Sequence, residues 1–322
     1  MDVENDTIEI TAHSRLHITL IDLNGALGRV DGGVGLTLDS PSMRIRAQRG
    51  EGISISGSDV FTDRIREVIR AIAAEHKISG AAIQVMKKYR AHVGLGAGTQ
   101  VALAVATSIN QLYGLNLKLS ELARLTGRGG TSGIGVAAFE SGGFIVDGGH
   151  KNKAAFLPSS ASQAYGPAPV LVRYEFPEWS VVLATPNLQG ASDKPEIDIF
   201  RQQCPIPLSE VQALCHVVLM EMLPAVVEKD VERFGRSINH VQMLGFKRRE
   251  LALQPFCKGL IDFMNENGAL GAGMSSFGPT VYAISNEKQL KPKVQRFLDE
   301  TVGGEVHLVK ARNEGARVIK LQ

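Results

Sequence analysis

Apolar and polar positions alternate from the start of the chain. Ile8, Ile10 and Ala12 share one face of a predicted strand over 7–12, and Leu16, Ile18 and Leu20 share one face of a second. Gly32-Gly33 marks a turn, and further strands are predicted at 34–38 and 43–47. The period then changes. Ile65, Val68, Ile69 and Ile72 fall on one stripe of a helix over 59–75, and a strand over 82–89 follows.

That strand leads into HVGLGAGTQVALAVATSI, residues 92–109, where Gly94, Gly96 and Gly98 alternate before a long uncharged segment. Val101, Val105, Ile109 and Leu112 form one stripe there and alanines fill most of the rest, so a helix buried nearly all round is predicted. A glycine-rich loop opening a helix presents free N–H groups and a positive dipole end, which suits phosphate. A tight packing turn is the plainer reading. The spacing is not GxGxxG, and no GK[ST] follows.

Two more glycine-rich turns recur downstream. Thr131, Ser132 and Gly133 precede a small-residue helix, and the strand after it ends in Asp147-Gly148-Gly149-His150. Residues 151–169 turn polar and read as a connection between halves. Strands at 170–176 and 181–185 precede helices near 210–223, 230–244 and 255–265. The third turn, 268–280, leads to a strand at 281–284, a helix over 289–302 and strands at 305–310 and 316–320. This mixed order predicts an α+β fold.

Composition narrows the function classes. The 322 residues suffice for two domains or one large one, and a formal charge of +2 gives no case for nucleic acid or an acidic membrane. No apolar run reads as long enough to span a bilayer, and the acidic start MDVENDT is not signal-like. Cys204, Cys215 and Cys257 show no CxxC spacing and read as reduced structural thiols in a cytoplasmic protein.

The N-terminal strand pair, the GLGAGT loop before a buried helix and the turn ending in Gly278-Pro279-Thr280 resemble the galactokinase, homoserine kinase, mevalonate kinase and phosphomevalonate kinase (GHMP) superfamily. The resemblance implies a GHMP-kinase-like two-domain fold. Its N-terminal domain would be ribosomal protein S5 domain 2-like, with a left-handed βαβ unit, over 1–165. Its C-terminal domain would be ferredoxin-like, over 166–322. Kinases of the group often carry an aspartate base in an SGxxD-type segment, where this chain has Gly135 and no carboxylate before Glu140.

The stretches RLHITLIDLNGALGRVDGGVGLTL, GLGAGTQ, GRGGTSGIGVAAFESGGFIVDGGH and MSSFGPT are similar to the beta-ribofuranosylaminobenzene 5'-phosphate synthase family within that superfamily. The resemblance implies a decarboxylating phosphoribosyltransferase of methanopterin biosynthesis, a homodimer. It would join phosphoribosyl pyrophosphate to 4-aminobenzoate or 4-hydroxybenzoate with Mg²⁺ and without ATP. An ATP-dependent small-molecule kinase of the superfamily is the alternative, and a silent binding homologue a third.

Site expectations follow. Gly94, Leu95, Gly96, Ala97, Gly98, Thr99 and Gln100 would cradle the pyrophosphate. Thr131, Ser132 and Gly133 would contact a phosphate or merely cap a helix. Ser275, Ser276 and Gly278 would close the site. Arg15 and His17, on one face of a strand, suit an anionic substrate or a surface ion pair. Asp22 and Asp31 are candidates for metal contact or for steadying a cation, against a plain turn role. His150 could be acid, base or ligand, or structural. The Lys247-Arg248-Arg249 run reads as a solvated helix end.

Overall fold

The computed structural model describes residues 6–151, 153, 155–158, 161–162, 165–190 and 194–321; most of the acidic start, at 1–5, lies outside them. The first strand, β1 (Thr7–Asp22), runs unbroken for 16 residues, so the expected strand pair is one strand. The expected strands at 34–38 and 43–47 are likewise one 21-residue strand, β2 (Arg29–Arg49). The physical reason is a pair of register shifts, between His13 and Arg15 and between His17 and Thr19. A bulge takes up an extra residue and bends the strand, so polar residues break the alternation without ending the pairing.

The long β2 holds the first sheet together. Its second half pairs with β4 (Gly80–Lys87), which lies parallel to β3 (Gly52–Ser56) across the crossover helix α1 (Thr62–His76). Its first half pairs with β5 (Phe144–Asp147) and β6 (His150–Lys151). The helix α2 (Ala97–Tyr113) lies against this sheet with Val101 to Ala106 all 0% exposed, which accounts for its uncharged sequence. Short helices α3 (Leu119–Leu125) and α4 (Ile134–Glu140) pack beside it.

The division expected between 165 and 166 is not where the sheets divide. Strand β7 (Val170–Tyr174) pairs with β5, and the last strand, which we number β12 (Arg317–Leu321), returns to pair with β1. The second sheet holds β8 (Val181–Pro186), β9 (Gly271–Met274), β10 (Val281–Ile284) and β11 (Gly304–Val309). Their order, β11–β8–β10–β9 with every neighbour antiparallel, is the ferredoxin-like arrangement. Helices α10 (Pro255–Glu266) and α11 (Leu290–Asp299) cover it. The main core runs through both halves, joining Phe144 and Phe176 to Phe234 and Tyr282.

Between β8 and α10 in the chain lie α5 (Lys194–Gln203), α6 (Leu208–Val217), a π turn at Val218–Met222, α7 (Leu223–Glu228), α8 (Val231–Gln242) and α9 (Gly245–Ala252). The π turn falls just before Pro224, which has no N–H to give to the helix ladder. Leu208–Glu228 is 21 residues of helix with a mean hydropathy of 1.5, long and apolar enough to cross a membrane by length and composition. This corrects the expectation that no such run exists. In the fold Leu214, Val218, Met222 and Val226 enter the main core, while Leu219, Met220 and Val227 are exposed. Cys204, Cys215 and Cys257 are free thiols.

Candidate active site

The register shifts between β1 and β2 are where the site begins. They deliver Arg15 and His17 to a cleft of about 400 Å³, beneath the glycine loop that enters α2. Arg15 Nη1 donates to the Gly94 carbonyl (2.6 Å) and its backbone N–H donates to the Leu95 carbonyl (3.2 Å). Burial, set against Tyr89 and Glu196 nearby, holds the guanidinium at about 10, so it is charged at neutral pH. Gly94 and Gly96 adopt φ of 82° and 80°. A Cβ on Gly94 would lie 2.3 Å from the Ser275 carbonyl, and one on Gly96 would lie 3.2 Å from the Arg15 guanidinium. Only glycine fits both the backbone and the space.

Gly96 is the N-cap of α2, and no side chain caps that end. The helix therefore offers its first N–H groups and its positive dipole end to the cleft. Ala97, Gly98 and Thr99 line the cleft with Gly94 and Gly96. The Arg128 guanidinium stands beside Gly98, 3.9 Å from where its Cβ would be. Leu95 and Gln100 do not face the ligand space. Leu95 is buried and its carbonyl also accepts from Tyr89 Oη (3.3 Å), while Gln100 Nε2 donates to the Gly135 carbonyl (2.9 Å).

The other two turns close on the first. Ser275 Oγ donates to the Gly94 carbonyl (2.7 Å) and accepts from the His17 backbone N–H (3.0 Å), so Ser275 is a strut rather than a ligand contact. Ser276 N donates to the His17 carbonyl (2.9 Å), and Ser276 and Gly278 line the cleft. Thr131 and Ser132 line it as well, although the Thr131 hydroxyl donates to the Leu157 carbonyl (2.7 Å). Gly133 lies behind, with its N–H donated to Asp147 Oδ2 (2.9 Å).

The two aspartates expected at a metal are placed elsewhere. Asp22 and Asp31 are cross-strand partners, yet neither lines the cleft. Asp22 Oδ1 accepts from the N–H groups of Asn24 (2.8 Å) and Gly25 (2.9 Å), an Asx turn leaving β1. Asp31 Oδ2 is shared by His150 Nδ1 (2.8 Å) and Lys153 Nζ (2.9 Å). These two partners occupy Oδ2, while Oδ1 is buried with no hydrogen-bond partner among the described residues. No group of three or more His, Cys, Asp or Glu side chains able to hold a metal occurs among the described residues.

His150 is thus part of a buried ion cluster and does not line the cleft. Burial pulls its pKa down, but the Asp31 hydrogen bond and charge outweigh that and raise it. Its Nε2 faces the Gly166 carbonyl (3.1 Å), so both ring nitrogens address acceptors and the imidazolium form suits the site. Lys153 also donates to the Gly130 carbonyl (3.0 Å), tying the cluster to the second glycine turn.

A second wall of the same cleft is apolar, built from Leu20, Phe200 and Phe277. Phe200 and Phe277 pack against each other with ring centroids 6.4 Å apart, and both pack on Phe246. One cleft therefore joins the uncapped N-terminus of α2 to an aromatic surface.

Residues 63–143 match the family model of the GHMP kinases N terminal domain, and residues 222–303 that of the GHMP kinases C terminal domain. A beta-ribofuranosylphenol 5'-phosphate synthase of Archaeoglobus fulgidus is 47% identical, covering 97% of this chain and 99% of the relative. The protein of that name from Methanocaldococcus jannaschii is 43% identical over 96% and 99%. The chain belongs to the beta-ribofuranosylphenol 5'-phosphate synthase family. It is a pentosyltransferase of the GHMP superfamily. Among solved structures, an L. major mevalonate kinase in complex with R-mevalonate shares the fold at a TM-score of 0.69 and 15% identity, covering 95% and 96% of the two chains. A homoserine kinase from Cytophaga hutchinsonii does so at 0.65 and 18%, covering 99% of each.

In this family member three site groups escape a reading by sequence. Asp147, 0% exposed at the end of β5, accepts from Gly133 N and Gly149 N, and burial pushes it up to about 6 despite those bonds. Arg128, held at about 10 by burial and by Arg64, follows a helix end with no pattern to mark it. Lys247 overturns the solvated reading of its basic run. It is fully buried, ion-paired with Glu250, and donates to the carbonyls of Met274 (3.3 Å) and Ser276 (3.1 Å). Glu250 lines the cleft. The signal was Lys247 to Glu250 at i,i+3 beside the apolar Phe246, a pairing that satisfies a buried charge.

Proposed function

We propose that this synthase transfers the phosphoribosyl group of phosphoribosyl pyrophosphate to the carboxylate-bearing ring carbon of 4-hydroxybenzoate, releasing CO₂ and pyrophosphate on the route to methanopterin. The observation that carries the reading is the single cleft in which the uncapped end of α2, Arg15 and Arg128 meet the wall of Phe200 and Phe277. The relatives' name contains ribofuranosylphenol, which favours the hydroxy over the amino substrate.

Each step has a group to serve it. As the C1–O bond breaks, negative charge grows on the departing pyrophosphate, where the α2 N–H groups and the guanidinium of Arg15 are already oriented. The ring, held on the aromatic wall, attacks C1 through the carbon bearing the carboxylate. The carbon–carboxylate bond then breaks and its electron pair restores the aromatic ring. No net proton is gained or lost. Because Asp22 and Asp31 do not form a metal centre, a divalent ion would enter as part of the substrate, held by its phosphate oxygens.

The alternative kinase reading predicts ADP formation that depends on an added alcohol. Purified protein given ATP with small alcohols should form no such ADP, whereas phosphoribosyl pyrophosphate with 4-hydroxybenzoate should release pyrophosphate. Alcohol-dependent ADP would overturn the proposal.

A further inference from the structure

A chain of three side chains, Asp147 and His17 buried and Ser132 half-buried, runs from β5 to β1 along the cleft. Ser132 Oγ lies 3.3 Å from Asp147 Oδ2 and 3.2 Å from His17 Nε2, and accepts from Ile134 N (3.2 Å). Backbone N–H groups donate to each oxygen of Asp147, Gly133 N to Oδ2 and Gly149 N to Oδ1. A backbone N–H cannot accept, so these contacts favour the ionised carboxylate, which dominates at neutral pH. The hydroxyl proton of Ser132 is then committed to Asp147, and Ser132 can only accept from His17.

His17 must supply that proton from Nε2. Its ring is neutral, because burial and the charges of Arg15 and Lys247 hold its pKa well below the usual histidine range. A neutral imidazole protonated on Nε2 carries a bare lone pair on Nδ1. His17 lines the cleft and is 6% exposed, and its Nδ1 is buried with no hydrogen-bond partner among the described residues.

We propose that Asp147, acting through Ser132, is a positioning residue that fixes the Nε2–H tautomer of His17, making His17 Nδ1 the acceptor for an uncharged hydroxyl of a substrate. The inference rests on the reaction proposed above. Ionised phosphate and carboxylate oxygens have no proton to donate, so this atom rejects them and accepts an O–H. Two substrate groups have that chemistry: the para hydroxyl of the benzoate and the hydroxyls of the ribose.

The test combines a tautomer measurement with steady-state kinetics. Imidazole ¹⁵N shifts of the full chain, assigned with His17→Gln, should show His17 protonated on Nε2 in the resting protein. Ser132→Ala and Asp147→Asn should move the proton toward Nδ1, while Ser132→Thr keeps it in place. The Ala variant should raise one KM by about tenfold, the loss of one hydrogen bond to a neutral group, with a smaller change in kcat. A rise confined to 4-hydroxybenzoate assigns the ring hydroxyl, and a rise confined to phosphoribosyl pyrophosphate assigns a ribose hydroxyl. Protonation on Nδ1 in the unaltered protein would overturn the proposal, as would unchanged tautomer and KM values in Ser132→Ala. The tautomer is read without turnover, so failure of the overall reaction would leave this result standing and count only against the function.

Discussion

Arg15 and Gly94 lie 79 residues apart in sequence and are joined by a 2.6 Å hydrogen bond from the guanidinium to the glycine carbonyl. That bond fixes the glycine loop to β1 and keeps the guanidinium beside Gly96, the N-cap of α2. The loop is thus held from below by an arginine and from the side by Ser275, leaving its N–H groups toward the cleft.

Replacing Gly96 by valine should weaken phosphoribosyl pyrophosphate binding by about 2 kcal/mol or more, the loss of one or two charge-assisted hydrogen bonds. The new side chain would be forced into positive φ and against Arg15. Titration calorimetry on the folded variant checks it; unchanged affinity would make the loop a packing element only.

Lys247→Met should destabilise the fold by about 3–5 kcal/mol, because it strands the buried Glu250 carboxylate without a counter-charge. The pair is essentially inaccessible, at 0% and 2% exposure. Lys247→Met combined with Glu250→Leu should recover most of that loss in a urea melt. A single variant as stable as the parent would show that the pair does not depend on its charge.

Asp147 gives a pH dependence whose sign is fixed by burial. Its folded pKa is raised from 3.8 to about 6, so the folded chain holds the proton more tightly than the unfolded one. The resulting stability is complete below the unfolded value and is lost as pH rises through about 6, about 3 kcal/mol in all. Relative to Asp147→Asn, the parent should therefore be more favoured at pH 4 than at pH 7 in urea melts. A gap that stays constant across that range would contradict the assignment.

Periodicity made much of this molecule legible. The change from alternation to a helical stripe located α2, and the glycine-rich stretches located the lips of the cleft, although the third, read as a turn over 268–280, holds the strand β9. Periodicity misled where side chains were re-aimed. Ser14 breaks the apolar series between Ala12 and Leu16, which reads as a strand end but lies within one continuous strand whose pairing with β2 shifts register. Asp22 and Asp31 looked available because no pattern reveals that one caps a turn and the other balances His150 and Lys153. Lys247 was hidden by its neighbours, since one residue of a basic run can be buried while Arg248 stays exposed.

The most direct measurement is the stoichiometry of the reaction with carboxyl-labelled 4-hydroxybenzoate and phosphoribosyl pyrophosphate. One labelled CO₂ is expected for each pyrophosphate, and both products should require a divalent metal and no ATP. Unsubstituted benzoate should turn over far more slowly, since it lacks the electron-donating group that supports attack at the carboxylate-bearing carbon. Pyrophosphate released while the label stays on the ring would mean an ester or another riboside, and would contradict the decarboxylating transfer.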